Sequence, residues 1–187
     1  MRPWITVVGI GASGSLDLTE KAREVLRSSE VLIGGRRQHS LVFEKDIPIC
    51  KERIVLSSKL KETIEKIENY RGKKVTVLAS GDPMHFGVGC TLVRQFKKND
   101  IQVIPYLSSS SLACARMCWV RQDIEVISLH GRSTDMLNLH IRPKQKIIAL
   151  SWNGKTPNSI IRLLVSKGFG RSQITVFSDL GSNNEKS

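Results

Sequence analysis

Two short glycine-containing segments give the first indication of chemistry in this chain of 187 residues. Residues 9–14 (GIGASG) follow the aliphatic run 5–8, and residues 80–83 (SGDP) follow the run 75–79. Glycine lets backbone N–H and C=O groups face an open crevice without a side chain in between. Both segments are therefore suited to holding a small polar ligand through the main chain.

The elements around these segments alternate between two hydrophobic patterns. Aliphatic, β-branched runs predict buried strands, and apolar residues three and four apart predict amphipathic helices between them. The predicted strands are 5–8, 31–33, 75–79, 101–104, 124–129, 146–150 and 173–177. The alternation predicts an α/β protein with mostly parallel sheet, in which ligands bind at the carboxyl ends of strands. Both glycine segments lie at such ends.

The charge balance indicates an anionic partner. The chain has 29 Lys and Arg residues against 17 Asp and Glu residues, a net charge of +12. Nucleic acid and a polycarboxylate metabolite both fit this charge, but 5% aromatic content offers no stacking platform, so we expect no nucleic acid partner. No apolar run approaches the roughly 20 residues that cross a bilayer. We expect a cytoplasmic protein that does not enter a membrane.

The chain offers little for metal or hydrolytic chemistry. Cys114 and Cys118 lie one helical turn apart, but no second Cys/His pair accompanies them, so we expect no metal site. No Ser/His/Asp set and no pair of carboxylates is evident, which argues against a hydrolase.

Residues 9–14 also match the Gly-x-Gly-x-x-Gly pattern of dinucleotide-binding enzymes. In that pattern the third glycine opens a helix, whereas here residues 15–18 precede a helix expected at Thr19. The second strand ends in Gly34-Gly35-Arg36-Arg37, with no acidic residue for a ribose hydroxyl. NAD is disfavoured, and an NADP-dependent oxidoreductase stays open through the two arginines.

Taken together, several motifs closely resemble the tetrapyrrole methylase family. They are residues 8–11 (VGIG), 79–83 (ASGDP), 86–89 (FGVG), 104–105 (IP) with Ser108 and Ser109, 128–132 (SLHGR), 153–157 (NGKTP) and 168–170 (GFG). The resemblance implies two α/β lobes, each a mostly parallel sheet flanked by helices, with S-adenosylmethionine (SAM) in the cleft between them. By this analogy the lobes are residues 1–104 and 105–187, and the second lacks its last strand or strands.

The resemblance also implies an activity and partners. It implies a SAM-dependent transfer of a methyl group to a ring carbon, C5, of a precorrin or cobalt-precorrin in cobalamin biosynthesis. The resemblance further implies a polycarboxylate tetrapyrrole as the small-molecule partner, a homodimeric enzyme, and a C15-methylating, decarboxylating module as a further partner. An RNA-modifying or nucleic-acid-binding protein that uses the basic surface is the other open alternative.

The family's motifs assign site residues by position. The implied cofactor-binding residues are Gly9, Gly11, Ala12, Ser80, Gly81, Asp82, Met84, His85, Ser108, Ser109, Ser110, Leu150 and Ser151. Arg132 and His130, followed by Arg36 and Arg37, are the implied anchors for the substrate's carboxylates. Each assignment has a plainer alternative: tight turns for the glycines, a turn former for Asp82, a polar linker for the serines, and solvated surface charges for the basic residues.

Two positions differ from the family's usual pattern. Ala12 stands where the family usually has proline, and Pro105-Tyr106 stands where it usually has Pro-Gly. Because tyrosine adopts a positive φ only at a cost, we expect a reshaped loop before Ser108 and a lowered affinity for SAM.

Overall fold

The computed structural model describes residues 3–57 and 60–187. They form two compact units, one of Met1–Ser108 with Gly181–Asn183 and one of Ser109–Leu180 with Asn184–Ser187. The predicted α/β class, with parallel sheet and flanking helices, is confirmed. Within the described residues, no helix combines the length and apolar character needed to cross a membrane.

The first unit contains a five-stranded parallel sheet. Its strands are β1 (Ile5–Ile10), β2 (Val31–Gly34), β3 (Glu52–Val55), β4 (Val75–Ser80) and β5 (Ile101–Ile104). They are arranged in the order β3-β2-β4-β1-β5, so β1 pairs with both β4 and β5. The helices of this unit are α1 (Glu20–Arg27), α2 (Arg36–Ser40), α3 (Leu60–Glu68) and α4 (Val88–Gln95).

Both faces of this sheet are apolar, which explains the continuous aliphatic runs in the sequence. On one face Ile5 and Val7 pack in a cluster with Ile67 of α3 and Leu92 of α4. On the other face Val8 packs in a second cluster that includes side chains of α1. Because successive residues of a strand point to opposite faces, each buried strand contributes to both clusters.

Strand β3 does not appear among the predicted strands. Its sequence, ERIV, has two charged residues, and its side chains alternate between half-buried and exposed. It lies at the edge of the sheet and pairs only with β2. Charged side chains are typical of edge strands, where they discourage pairing with other chains. A search for continuous aliphatic runs therefore could not find it.

The second unit is smaller. Strands β6 (Ile124–Ser128) and β7 (Lys146–Leu150) form a parallel pair, and helices α5 (Ser109–Met117) and α6 (Thr156–Ser166) belong to the same unit. Ile127, Leu129 and Leu137 form its buried cluster, and Ile160 and Leu163 of α6 pack against it. Gly168 has φ +82° directly after the Lys167 C-cap, a conformation that suits a glycine closing this helix.

The predicted strand at 173–177 is wrong. The segment forms no ladder within the described residues, and the nearest pairing is an isolated antiparallel bridge between Ser178 and Lys186. Ile174 is 40% exposed and Val176 is 50% exposed. The β-branched residues give the segment strand propensity, but a strand also requires a neighbour for its backbone groups.

Candidate functional site at the carboxyl ends of the strands

The turns that follow the strands of the first unit share one edge, because all five strands run parallel. Gly11 follows β1, Gly81 follows β4, and Pro105-Tyr106 follows β5. These three strands are neighbours at the sheet centre, in the order β4-β1-β5. Their turns therefore meet at the edge where open α/β sheets bind ligands.

The three chain segments approach one another closely at Gly9. A Cβ atom at this position would lie 2.7 Å from the backbone nitrogen of Tyr106 and against the carbonyl oxygen of Gly81. The Gly81 N–H also donates to the Ile10 carbonyl over 2.9 Å. Because the opposing atoms are backbone, no larger residue fits at position 9 without moving a strand end.

Gly11 is covered by a side chain. A Cβ atom at this position would lie 2.9 Å from Cζ and 3.0 Å from Oη of Tyr106. Tyr106 is half-buried and also packs against the cluster that contains Val8. It is not among the described non-glycine residues with positive φ, so the loop accommodates tyrosine without backbone strain at this position.

The Tyr106 phenol points toward the short 3₁₀ turn at Gly14–Asp17. Its Oη lies 3.5 Å from Oδ2 of Asp17. Burial, and after it the negative charge of Asp17, raises the pKa of Tyr106. The phenol therefore stays protonated at neutral pH and can donate a hydrogen bond.

Gly14 shapes the loop after β1 and packs against Leu41, away from the close approach at Gly9. Its φ is +73°, its N–H donates to the Gly11 carbonyl over 3.1 Å, and a Cβ atom would lie 2.6 Å from the Leu41 carbonyl oxygen. Helix α1 begins only after the Thr19 N-cap, whose hydroxyl accepts from Ala22 N–H over 3.3 Å. This differs from the dinucleotide pattern, in which the third glycine belongs to the opening helix.

The loop after β4 is held by its own backbone and side chains. Gly81 has φ +59°, and Oδ1 of Asp82 accepts from the Met84 N–H over 2.8 Å. The Cys90 thiol donates to the Met84 carbonyl over 3.0 Å. Asp82 is thus a turn former here, and its carboxylate fixes the backbone between Gly81 and Met84.

This loop presents apolar surface at its tip. Met84 is 45% exposed and Phe86, with φ +57°, is 50% exposed. The rings of His85 and Phe86 lie with their centroids 4.7 Å apart. The resemblance assigned Met84 and His85 to the cofactor site but gave the neighbouring Phe86 no role. An aromatic residue between a histidine and a glycine in a turn was the available signal.

The serine run does not present three equivalent hydroxyls. Ser108 is half-buried, Ser109 is exposed at the start of α5, and Ser110 is fully buried within the first turn of that helix. A ligand on the surface of this segment would meet Ser109 before Ser110.

In the second unit, the ends of β6 and β7 bring four predicted residues to one edge. The Leu129 N–H donates to the Leu150 carbonyl over 3.0 Å, which ties the two strand ends together. Gly131 then turns with φ +67°, and the Arg132 N–H donates to the Leu129 carbonyl over 3.2 Å. The residues gathered there are His130, Arg132, Leu150 and Ser151.

Arg36 and Arg37 lie in the first unit, at the start of α2 directly after β2. Both are exposed, and β2 is the neighbour of β4 in the sheet. They therefore share the strand-end edge with Gly81. Ala12 and Ser80 lie at the same edge, Ala12 half-buried in the loop after β1 and Ser80 as the last residue of β4.

The cysteines form no candidate metal centre. Cys114 is buried in α5, whereas Cys118 lies beyond the helix end, exposed and with φ +50°. Over residues 3–57 and 60–187, the structure groups no three His, Cys, Asp or Glu side chains around a point that could hold an ion.

The amino-acid sequence matches a known protein family and several of its members. Residues 5–187 match the family described as Tetrapyrrole (Corrin/Porphyrin) Methylases. The chain is 39% identical over 186 residues to precorrin-6Y C(5,15)-methyltransferase [decarboxylating] of Sinorhizobium sp., which covers 100% of this chain and 44% of that protein. It is 31% identical over 182 residues to cobalt-precorrin-7 C(5)-methyltransferase of Salmonella typhimurium, and this match covers 97% of this chain and 88% of that protein.

A solved structure is similar over the same range. The precorrin-6Y methylase of Archaeoglobus fulgidus superimposes with a TM-score of 0.70 at 26% identity, covering 97% of this chain and 86% of that one. The chain spans less than half the length of the Sinorhizobium relative and most of the other two.

The role of Gly14 can be tested by stability. We expect Gly14→Ala to cost the positive-φ penalty of about 1–2 kcal/mol plus roughly 1–3 kcal/mol for the contact with the Leu41 carbonyl. Gly72→Ala is the matched control, because Gly72 has φ +92° but a Cβ atom added there would meet nothing within 4 Å beyond its chain neighbours. Urea denaturation followed by circular dichroism measures both. Equal losses would show that the Leu41 contact is not tight.

Proposed function

The chain belongs to the tetrapyrrole methylase family, and on that premise we propose that it is a SAM-dependent methyltransferase that methylates C5 of a precorrin or cobalt-precorrin in cobalamin biosynthesis. The choice of C5 is supported by how much of each relative's length this chain matches. The Salmonella relative, matched over 88% of its length, is named for C5 alone. The Sinorhizobium relative is named for both C5 and C15 and is matched over 44% of its length.

The observation that carries the proposal is the meeting of the turns after β1, β4 and β5. Gly9 leaves no room for a side chain beside the Gly81 carbonyl, so backbone groups are concentrated at this edge. Gly81 adopts φ +59° in a turn that Asp82 braces. A ligand with a positive centre and a polar nucleoside fits such a backbone-lined edge better than it fits a cluster of charged side chains.

SAM supplies a methyl group activated by a positively charged sulfur. The residues that would hold it in the first unit are Gly81 and Asp82, through the backbone of their braced turn, with Met84 and His85 as walls. The family's motifs also assign Ser109, Leu150 and Ser151 to the cofactor, and this part of the proposal rests on the resemblance alone. The role of these residues is to fix the donor, because alignment of the reacting atoms supplies much of the rate in such a transfer.

A transfer of this kind does not require a nucleophilic triad or a pair of carboxylates. Charge is the other requirement, since a corrin precursor carries several carboxylates. Arg132 and His130 at the end of β6, and Arg36 and Arg37 after β2, are exposed basic side chains that suit such a substrate. The net charge of +12 would favour its approach.

A homodimer, a cytoplasmic location and a C15-methylating, decarboxylating partner module belong to the same proposal. The homodimer and the partner module come from the resemblance to the family, whereas the cytoplasmic location was expected from the sequence alone. Absence of a nucleic acid partner likewise stays a prediction.

Ligand binding separates this proposal from its alternatives. We expect titration calorimetry to detect SAM and S-adenosylhomocysteine but not NADPH, and labelled SAM with a precorrin to give a product whose new methyl group NMR assigns to C5. Binding of NADPH alone would support an oxidoreductase. Binding of RNA that weakens steeply with added salt would support the nucleic acid alternative.

Asp82 tests whether the turn or its charge matters. We expect Asp82→Asn to bind S-adenosylhomocysteine within about twofold of the wild type, because the amide oxygen can still accept from Met84 N–H. Asp82→Ala removes this acceptor, and we expect about fivefold weaker binding. Calorimetry on both variants provides the comparison. If the asparagine variant loses as much as the alanine variant, the carboxylate itself contacts the ligand.

Arg132 tests the substrate assignment. We expect Arg132→Ala to raise KM for the tetrapyrrole about tenfold, through loss of charge-assisted hydrogen bonds, with SAM binding nearly unchanged. Arg142→Ala is the control, since Arg142 is an exposed arginine that precedes β7 at the opposite edge of the same sheet. Steady-state kinetics and calorimetry report the two ligands separately. Equal losses for both ligands would contradict the assignment.

A further inference from the structure

Tyr106 fills the space that the first glycine turn leaves open. Its backbone nitrogen and Cβ lie against Gly9, and the far end of its ring lies over Gly11. The glycines at 9 and 11 therefore make room for a residue of the chain itself. A ligand that contacted the backbone at Gly11 would first have to displace the ring.

The two ends of Tyr106 are held very differently. The opposing groups at Gly9 are the backbone of Tyr106 and of Gly81, which cannot shift without moving a strand end. Over Gly11 the three nearest atoms are distal ring atoms and the hydroxyl of Tyr106, and these move by rotation about the side-chain torsions. The ring can therefore swing while its backbone stays fixed.

Within the described residues, one long polar contact and apolar packing hold the ring over Gly11. The hydroxyl is 3.5 Å from the Asp17 carboxylate, at the long limit for a hydrogen bond, and Asp17 is exposed. The remaining contact is apolar packing of the half-buried side chain against the cluster that contains Val8. Rotation of the ring would give up part of this packing and expose the backbone of Gly11.

We propose that Tyr106 is a gate over the glycine turn after β1 and that it sets the affinity of the chain for its nucleoside cofactor. This inference rests on the proposed function. The family's motifs assign Gly11 to the cofactor, so the site is incomplete while the ring covers Gly11. The measured dissociation constant then equals the intrinsic one divided by the fraction of molecules with the ring open. Shortening the side chain removes that penalty.

Tyr106→Leu is the informative variant. Leucine keeps an apolar anchor for the core cluster but lacks the ring atoms Cε1 and Cζ and the hydroxyl that contact Gly11. We expect it to lower the dissociation constant for S-adenosylhomocysteine by about five- to tenfold, with most of the change in the association rate constant. Calorimetry on the full chain gives the first value, and stopped-flow fluorescence gives the second.

Two controls separate the gate from general effects of the substitution. Tyr106→Phe keeps the ring over Gly11 and loses only the weak contact with Asp17, so we expect affinity within about twofold of the wild type. Tyr70→Leu makes the same change at the chain's other tyrosine, which precedes β4 at the opposite edge of the sheet. We expect no change in binding for this variant.

The outcomes separate a failure of the gate from a failure of the proposed function. Tighter binding by Tyr106→Leu alone supports the gate. Binding by the wild type that is unchanged or weakened in Tyr106→Leu overturns the gate and leaves the proposed function intact. Weakened binding would in addition make the ring a wall of the site. If neither the wild type nor Tyr106→Leu binds S-adenosylhomocysteine while both give folded circular dichroism spectra, the proposed function and the gate are both wrong.

Discussion

The close approach of three backbone segments at Gly9 is the constraint on which the candidate site depends. Strand β1 lies between β4 and β5, and its end has no side chain where the carbonyl of Gly81 and the nitrogen of Tyr106 come near it. This contact decides where the loops after all three strands begin. Since the loops carry the proposed ligand contacts, their positions follow from the packing of the sheet.

The glycines of residues 9–14 divide into separate roles. Gly9 permits contact between strand ends, Gly11 lies beneath the Tyr106 ring, and Gly14 turns the loop against Leu41. A pattern that reads as one motif in the sequence therefore consists of three local requirements. Only the turn around Gly81, braced by Asp82, has the simple form of a backbone cradle.

The sequence predicted the class of the fold because buried parallel strands are apolar on both faces, as at Ile5 to Val8. It missed β3, whose charged residues suit an edge, and it wrongly predicted a strand at 173–177, where propensity has no partner strand. Such outcomes depend on which segments become neighbours, and a local pattern does not contain that information.

In the candidate site, too, features set by local sequence were predictable and features set by packing were not. The turns at residues 9–14 and 80–83 were located correctly at strand ends, because glycine after an aliphatic run is a local signal. The burial of Ser110 and the direction of the Tyr106 ring could not be predicted, because both depend on packing between distant parts of the chain. The ligand roles of these residues stay predictions.

The sheets of the two units differ in how completely apolar side chains cover them. We therefore expect the backbone hydrogen bonds of the two sheets to differ in how readily they open. Strand β1 is sealed by apolar clusters on both faces, whereas β7 is only half-buried along most of its length and the segment after α6 leaves Val176 in water. Amide hydrogens exchange most slowly where opening requires the most buried surface to be exposed. The slowest-exchanging region is then the scaffold beneath the glycine turns, so loop motion there can occur without loosening the strands that carry it.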